Sequence, residues 1–293
     1  ADRALNTKGD RPYDGILARA TLPLAKAARK AGIPVVNVWM HSPTKGLPSL
    51  FPDFGTVGAM AAEHLMGRGF RQFGYLGLTR DARRDQCDGF LGALKREGFP
   101  CTIHRFSNKA HIANANKWEA FVACLGAWIE TWTLPIGIHV HADLTCRYLI
   151  EACHSKGLHV PQDVAIVGTS NEVIICTSSP PTLTSIDLGF GLIGYRAAAL
   201  LDRLMDGEPP PPEPVLLVPK ELVPRQSTDS FSVDDPLVSQ ALHYIAEHSH
   251  KPMQVNNVAA AVAITRRSLE RRFRKSLNHS IAEEITRLRL ERA

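Results

Sequence analysis

The stretch "TVGAMAAEHLMGRGFRQFGYLGL", residues 56–78, decides the fold of this chain. Its first part, "TVGAMAAEHLMGRG", reads as a helix, and it leads directly into "QFGYLGL", a short strand. The same alternation continues on both sides. Before it, "DGILA" (14–18) is followed by "LPLAKAARKAG" (22–32) and "IPVVNVW" (33–39). After it come "CDGFLGALKREG" (87–98), "IGIHVHA" (136–142), "CRYLIEACHSKG" (146–157), "DVAIVGT" (163–169) and "LIGYRAAALLDRLMDG" (192–207). Several of the helices stop at a glycine (Gly32, Gly98, Gly157, Gly207), where a left-handed terminal residue costs least. Strand and helix alternating in this way predict an α/β fold, with parallel strands covered on both faces.

The length, 293 residues, allows about two domains, because a single core stops growing near ~250–300 residues. A hydrophobic share of 44% and a charged share of 22% fit a soluble globular chain. No run of 18 apolar residues is present, so no membrane-spanning helix is expected. The opening "ADRALNTKGDRPYDG" lacks the basic-then-apolar order of a secretory leader, and the absent initiator Met suggests a fragment or processed chain. Six cysteines (Cys87, Cys101, Cys124, Cys146, Cys153, Cys176) form neither a CxxC pair nor zinc-finger spacing. They read as reduced, mostly buried thiols of a cytoplasmic protein.

"EPPPPEP", 208–214, looks like a linker, but "VLLVPKELVPR" follows at once and reads as a strand of the same α/β body. The prolines are then a stiff surface loop. A better boundary is "QSTDSFSVDD", 226–235, polar and without hydrophobic periodicity. The expected division is 1–228, a linker at 229–234, and a small all-α domain over 235–293. Asp234 or Asp235 should cap its first helix, with Pro236 in the first turn.

That small domain carries most of the charge. "TRRSLERRFRK", 265–275, sums to +5, equal to the formal charge of the whole chain. On a helix from Arg266, Leu269 and Phe273 share one side with Leu277, while Arg267, Glu270, Arg271 and Arg274 lie opposite. Upstream, Val255, Val258, Ala259 and Val262 recur at helical spacing, and Thr265 is placed to cap the basic helix. Two short helices about a tight turn, the second cationic, form a helix-turn-helix. Such a helix fits the major groove, where arginine donates bidentately to guanine for ~1–3 kcal/mol of discrimination. The plainer alternative is a solvated surface helix. A membrane-surface role is disfavoured because the apolar stripe is narrow and needed for packing.

Downstream, "NHSIAEEITRLRLERA" starts with a capping box of Ser280 and Glu283, with Ile281, Ile285 and Leu288 as its apolar stripe. With the preceding helices, "VAAAVAITRRSLERRFRKSLNHSIAEEITRLRLERA" resembles the AraC/XylR family of transcription activators over residues ~235–293. The resemblance implies double-stranded DNA as partner, with base-facing Arg267, Glu270 and Arg271 and with Thr265 and Arg266 nearer the phosphates; Arg274 belongs to the same face. Members of that family carry a second helix-turn-helix, which the sequence does not reach.

The α/β part resembles LacI/GalR-type and periplasmic-binding-protein sugar modules over nearly all of 12–228. The matching stretches are residues 53–77, "DLTCRYLIEACHSKGLHVPQDVAIVG" (143–168), "PPTLTSIDLGFGLIGYRAAALLDRLMDG" (180–207) and the closing "LVPRQST". The first strand-helix-strand unit of such a module is missing. The likeness implies two lobes of parallel sheet with a small sugar in the cleft, xylose or a related pentose first, and a homodimer. Its motif positions nominate Asp143 as a hydroxyl acceptor, with helix N-capping as the alternative role. Gln86 stands where the family has arginine, with Arg83 and Arg84 nearby. "GTSN" replaces the family's "GxD", so Ser170 and Asn171 take the place of an aspartate. Trp39 offers a stacking face or, equally, a core aromatic.

Two motifs compete. "GFGLIG", 189–194, matches a dinucleotide fingerprint, but no acidic residue ends a second strand about twenty residues on; the sugar-module likeness requires only Gly194, to start a close-packed helix. "HVH" sets His139 and His141 on one strand face with Asp143, and without a third ligand at recognisable spacing it reads as polar cleft lining rather than a metal or catalytic site. No cofactor is expected. A ligand-controlled transcription factor therefore leads, over a sugar-binding protein without DNA activity or an NAD-dependent oxidoreductase.

Overall fold

A computed structural model describes residues 13–79, 84–107, 115–229, 235–248, 251–277 and 279–290. The main sheet is assembled from β4 (Gln72–Leu78), β5 (Cys101–Phe106), β6 (Ile136–Val140), β7 (Val164–Thr169), β8 (Thr184–Asp187) and β10 (Glu221–Val223). Their order is β10-β8-β7-β6-β4-β5, all parallel except β10, which runs antiparallel to β8. Alternate residues serve opposite faces, as the period of a strand demands. Phe73, Tyr75, Ala165 and Val167 pack under α2 (Phe54–Gly67) and α3 (Arg84–Arg96). Leu76, Ile138, Val140 and Ile166 pack under α4 (Ala115–Ile129) and α5 (Asp143–Ser155). Each fully buried leucine, isoleucine or phenylalanine contributes roughly 1.5–3 kcal/mol.

Helices α2 and α3 touch backbone to backbone. A β-carbon on Gly58 would lie 2.0 Å from the Gln86 carbonyl oxygen, and one on Gly89 would lie 2.0 Å from that of Gly55. No side chain fits at either place.

The second lobe is small. β1 (Ile16–Ala18) pairs in parallel with β2 (Val35–Asn37), and β3 (Leu50–Pro52) pairs in parallel with β9 (Val215–Leu217). A single bridge between Asn37 and Ser49 joins the two pairs. Helix α1 (Leu22–Ala31) connects β1 to β2; Thr21 caps its start, and Gly32, at φ 67°, ends it. The cover comes from α7 (Phe190–Met205), whose Ile193, Ala197 and Leu200 bury Val36 and Leu50. The chain crosses between the lobes three times: from β3 into α2, from β8 into α7, and from β9 into β10.

Three features of the fold depart from what the amino-acid sequence led us to expect. "VLLVPKELVPR" is not one strand; it divides into β9 and β10, which belong to different sheets. Gly194 does not start a close-packed helix, because α7 begins at Phe190 and a β-carbon at Gly194 would meet nothing within 4 Å. Strands β3 and β5 and helices α4 and α6 (Val173–Thr177) had no counterpart in that reading.

Beyond residue 234, α8 (Pro236–His248), α9 (Val255–Ala261), α10 (Arg266–Leu277) and α11 (Ile281–Leu290) share a separate core. Val238, Leu242, Ile245, Val258, Leu269, Phe273 and Ile281 are all fully buried in it. The Asp235 carboxylate accepts from the Leu237 amide at 3.1 Å, opening α8; Asp234 lies outside the described residues. Thr265 Oγ1 accepts from the Ser268 amide at 3.3 Å, opening α10. Ser280 and Glu283 exchange the reciprocal bonds of a capping box, at 3.2 and 2.7 Å. The turn from α9 to α10 passes through Ala263 in the left-handed region, at φ 55°. The side chain of Leu288 lies outside what is described.

Candidate functional site

In an open parallel sheet the polar loops gather beyond the carboxyl ends of the strands, and ligands bind there. The ends of β6, β7 and β8 converge on one buried carboxylate. Asp143 is the first residue of α5 and fully buried. Its Oδ1 accepts from the Ser185 hydroxyl at 2.6 Å, and its Oδ2 from the Glu172 amide at 2.8 Å. Gly168 makes room for it, since a β-carbon there would sit 2.3 Å from Oδ1. Burial pushes the Asp143 carboxyl up, and the bonds from Ser185 and Glu172 offset part of that rise. The capping alternative fails: Ala142 is the N-cap, and no side chain caps α5. The carboxylate instead ties β8 and the turn after β7 to the helix.

That turn is strained. Ser170, at φ 108°, and Asn171, at φ 51°, both occupy the left-handed half of backbone space. The strain is held by bonds on every side. The Asn171 amide donates to Ser185 Oγ at 3.0 Å, its Oδ1 accepts from Arg225 Nη2 at 2.7 Å, and its Nδ2 reaches Asp187 at 3.4 Å. Arg225 is itself fixed, donating from Nη1 to the Leu183 carbonyl at 2.7 Å. Ser170 and Asn171 remain half-buried at the strand edge.

Gln86 lies deeper. Its Nε2 donates to His139 Nε2 at 2.9 Å and to Thr169 Oγ1 at 2.7 Å. His139 Nδ1 faces the Val167 carbonyl at 3.2 Å, so the proton of the neutral ring sits on Nδ1 and leaves Nε2 as the acceptor. Burial drives the His139 pKa down to about 4. Gln86 Oε1 is buried without a hydrogen-bond partner.

His139 and His141 do not share a face. The His139 ring packs on Tyr75 and Phe90, and the His141 ring packs on Phe106, across the sheet. Both are buried. No cluster of metal-ligating side chains exists among the described residues.

Trp39 stands apart from this network, just past β2 in the small lobe. It is half-buried, with the Arg19 guanidinium 5.0 Å from its ring centroid, so one ring face is already engaged. Arg83 lies outside the described residues, and Arg84 opens α3 with its side chain outside what is described. Sequence reasoning missed Ser185, Thr169, Asp187 and Arg225. Only Arg225 carried a signal, as the charged residue of the closing "LVPRQST".

The second candidate surface is α10. Thr265, Arg266, Arg267, Arg271 and Arg274 are exposed, and Leu269, Phe273 and Leu277 anchor the helix from behind. Glu270 departs from the expected solvent face, being half-buried with one carboxylate oxygen enclosed. Arg272 points away from the exposed stripe and pairs with Asp235 at 2.5 Å.

A family profile described as periplasmic binding protein-like domain matches residues 62–228. The xylose operon regulatory protein of Haemophilus influenzae is 30% identical over 250 residues, covering 84% of this chain and 64% of that protein. Its counterpart in Escherichia coli K12 is 30% identical over 234 residues, covering 78% of this chain and 59% of its own length. The chain therefore spans about three-fifths of these relatives. Among solved structures, a xylose-binding transcription activator, XylR, superposes with a TM-score of 0.66 at 27% identity, covering 95% of this chain and 74% of that one.

Proposed function

We propose, from the premise that this chain belongs to the periplasmic binding protein-like domain family, that it is a sugar-responsive transcription regulator rather than an enzyme. Residues 1–228 form the sensor, 229–234 the linker, and 235–293 a DNA-binding domain of the AraC type. A small sugar, xylose or a related pentose, occupies the cleft beyond β6, β7 and β8. Ser170 and Asn171 meet its hydroxyls, with Asp143 and Gln86 fixing the turn and floor behind them and Trp39 approaching from the other lobe. Arg267 and Arg271 read base edges in a major groove; Thr265, Arg266 and Arg274 hold phosphates. Glu270, half-buried, steadies the helix and is a weaker reader than its neighbours. The working protein is a cytoplasmic homodimer on double-stranded DNA.

One observation carries the reading: an exposed cationic helix, capped by Thr265 and backed by Phe273, follows a sugar-module fold in one chain. Fluorescence anisotropy with promoter DNA and the full-length protein tests it, with and without D-xylose. Arg267→Ala and Arg271→Ala should each weaken binding by roughly 5–150-fold, the equivalent of ~1–3 kcal/mol per lost bidentate contact. Unchanged affinity in both variants would leave a sugar receptor without DNA activity. The names of the two relatives and of the XylR structure favour the regulator.

A further inference from the structure

Helix α2 joins the two candidate surfaces. It starts at a lobe crossing, where Asp53 caps it through the Thr56 amide at 3.1 Å and donates its own amide to Leu217 O at 2.8 Å. It ends at Gly67, against the helical domain. There Arg287 of α11 donates from Nη2 to the Gly67 carbonyl at 3.3 Å. A β-carbon on Gly67 would stand 3.2 Å from Arg287 Nη1, so a larger side chain there crowds the guanidinium. Arg287 is held from its own side by Glu284, through Nε at 3.0 Å and Nη2 at 2.5 Å. Glu284 is fully buried, and its Oε2 also meets His279 Nε2 at 2.8 Å.

A chain of hydrogen bonds, buried as far as Thr184 and part-buried beyond it, runs from the same turn of α2 back to the strained turn of the sensor. His64 Nε2 meets Thr228 Oγ1 at 2.9 Å, and Thr228 Oγ1 meets Thr184 Oγ1 at 2.8 Å. Thr184 Oγ1 accepts from the Arg225 amide at 2.8 Å, and Arg225 Nη2 holds Asn171. Low local dielectric strengthens each link and makes a broken one costly.

We propose that the last turn of α2, Gly67 with His64 behind it, is the docking surface by which the α/β body holds α11, and that Arg287 is the positioning residue that passes the state of the sugar cleft to the DNA-binding domain. The signalling half of this statement rests on the function proposed above; the docking half does not.

The test uses Gly67→Leu and Arg287→Lys in the full chain, followed by hydrogen exchange of peptides covering α11. In sugar-free protein each variant should speed exchange over residues 281–287 by about tenfold, as loss of one docking contact would. The double variant should add little further, because both substitutions break one contact. Arg287→Lys retains a cation for the buried Glu284. The tryptophan-reported melting of the α/β body should stay within about 2 °C. Unchanged exchange in either variant, or additive effects in the pair, overturns the docking surface. With D-xylose, protection over 281–287 should change in the natural sequence and stay fixed in Gly67→Leu, although the sugar raises the melting temperature of both. A protection change that survives in Gly67→Leu overturns the signalling role. Failure of D-xylose to shift either protein counts against the sensor reading, and the sugar-free comparison still decides the docking.

Discussion

Lowering the pH from 8 to 5 should weaken the α/β body through His139. Its ring is fully buried, neutral, and held at a pKa of about 4. In the unfolded chain the same ring titrates near 6.5. Between these values the unfolded state binds the proton and the folded state does not, so stability is lost as pH falls. The full span of about 2.5 pH units corresponds to roughly 3.4 kcal/mol, of which about 2 kcal/mol is lost by pH 5. His64 adds to the loss, because burial, then Arg68 and Arg287, lower its pKa as well. Asp143 acts in the opposite direction: a raised folded pKa means that acid restores part of its buried-charge cost. A variant is therefore needed to isolate His139. Urea unfolding followed by tryptophan fluorescence suits this, because all four tryptophans (Trp39, Trp118, Trp128, Trp132) belong to the α/β body. His139→Leu should be less stable at pH 8, since Gln86 keeps only Thr169, yet lose about 2 kcal/mol less on acidification. Equal pH slopes for the two proteins would refute the buried neutral ring.

Two other perturbations follow from packing. Gly58→Ala and Gly89→Ala each place a methyl 2.0 Å from a carbonyl oxygen across the α2–α3 contact, so each should cost about 3 kcal/mol or more by urea titration. Phe273→Ala removes a fully buried ring from the helical core at about 3–5 kcal/mol. It should reduce helical circular dichroism and leave the tryptophan transition in place.

The alternation of strand and helix was legible because apolar runs and terminal glycines mark each element locally; Gly32, Gly98, Gly157 and Gly207 all adopt positive φ. The capped basic helix was legible for the same reason, its apolar stripe and its threonine cap lying within a few residues. What escaped is non-local. Nothing in "VLLVPKELVPR" says that two short strands join different sheets, since that depends on partners more than 30 residues away. Asp143 looked like a ligand group because of its place after a strand; the distant Ser185 and Glu172 turn it inward. His139 and His141 were separated by the end of β6, where the strict two-residue alternation stops applying.

The interleaved lobes bear on how the protein is made. Strands β1 to β3 leave the ribosome well before α7 and β9, which shelter and pair with them and arrive only with residues 190–217. At ~5–20 residues per second, translation leaves those strands exposed for roughly ten to thirty seconds after Pro52 is added. The larger sheet, nearly complete in one continuous segment, can collapse during that interval, so the small lobe matures after the large one, and a nascent chain stalled before Leu217 would offer β3 as an open sticky edge.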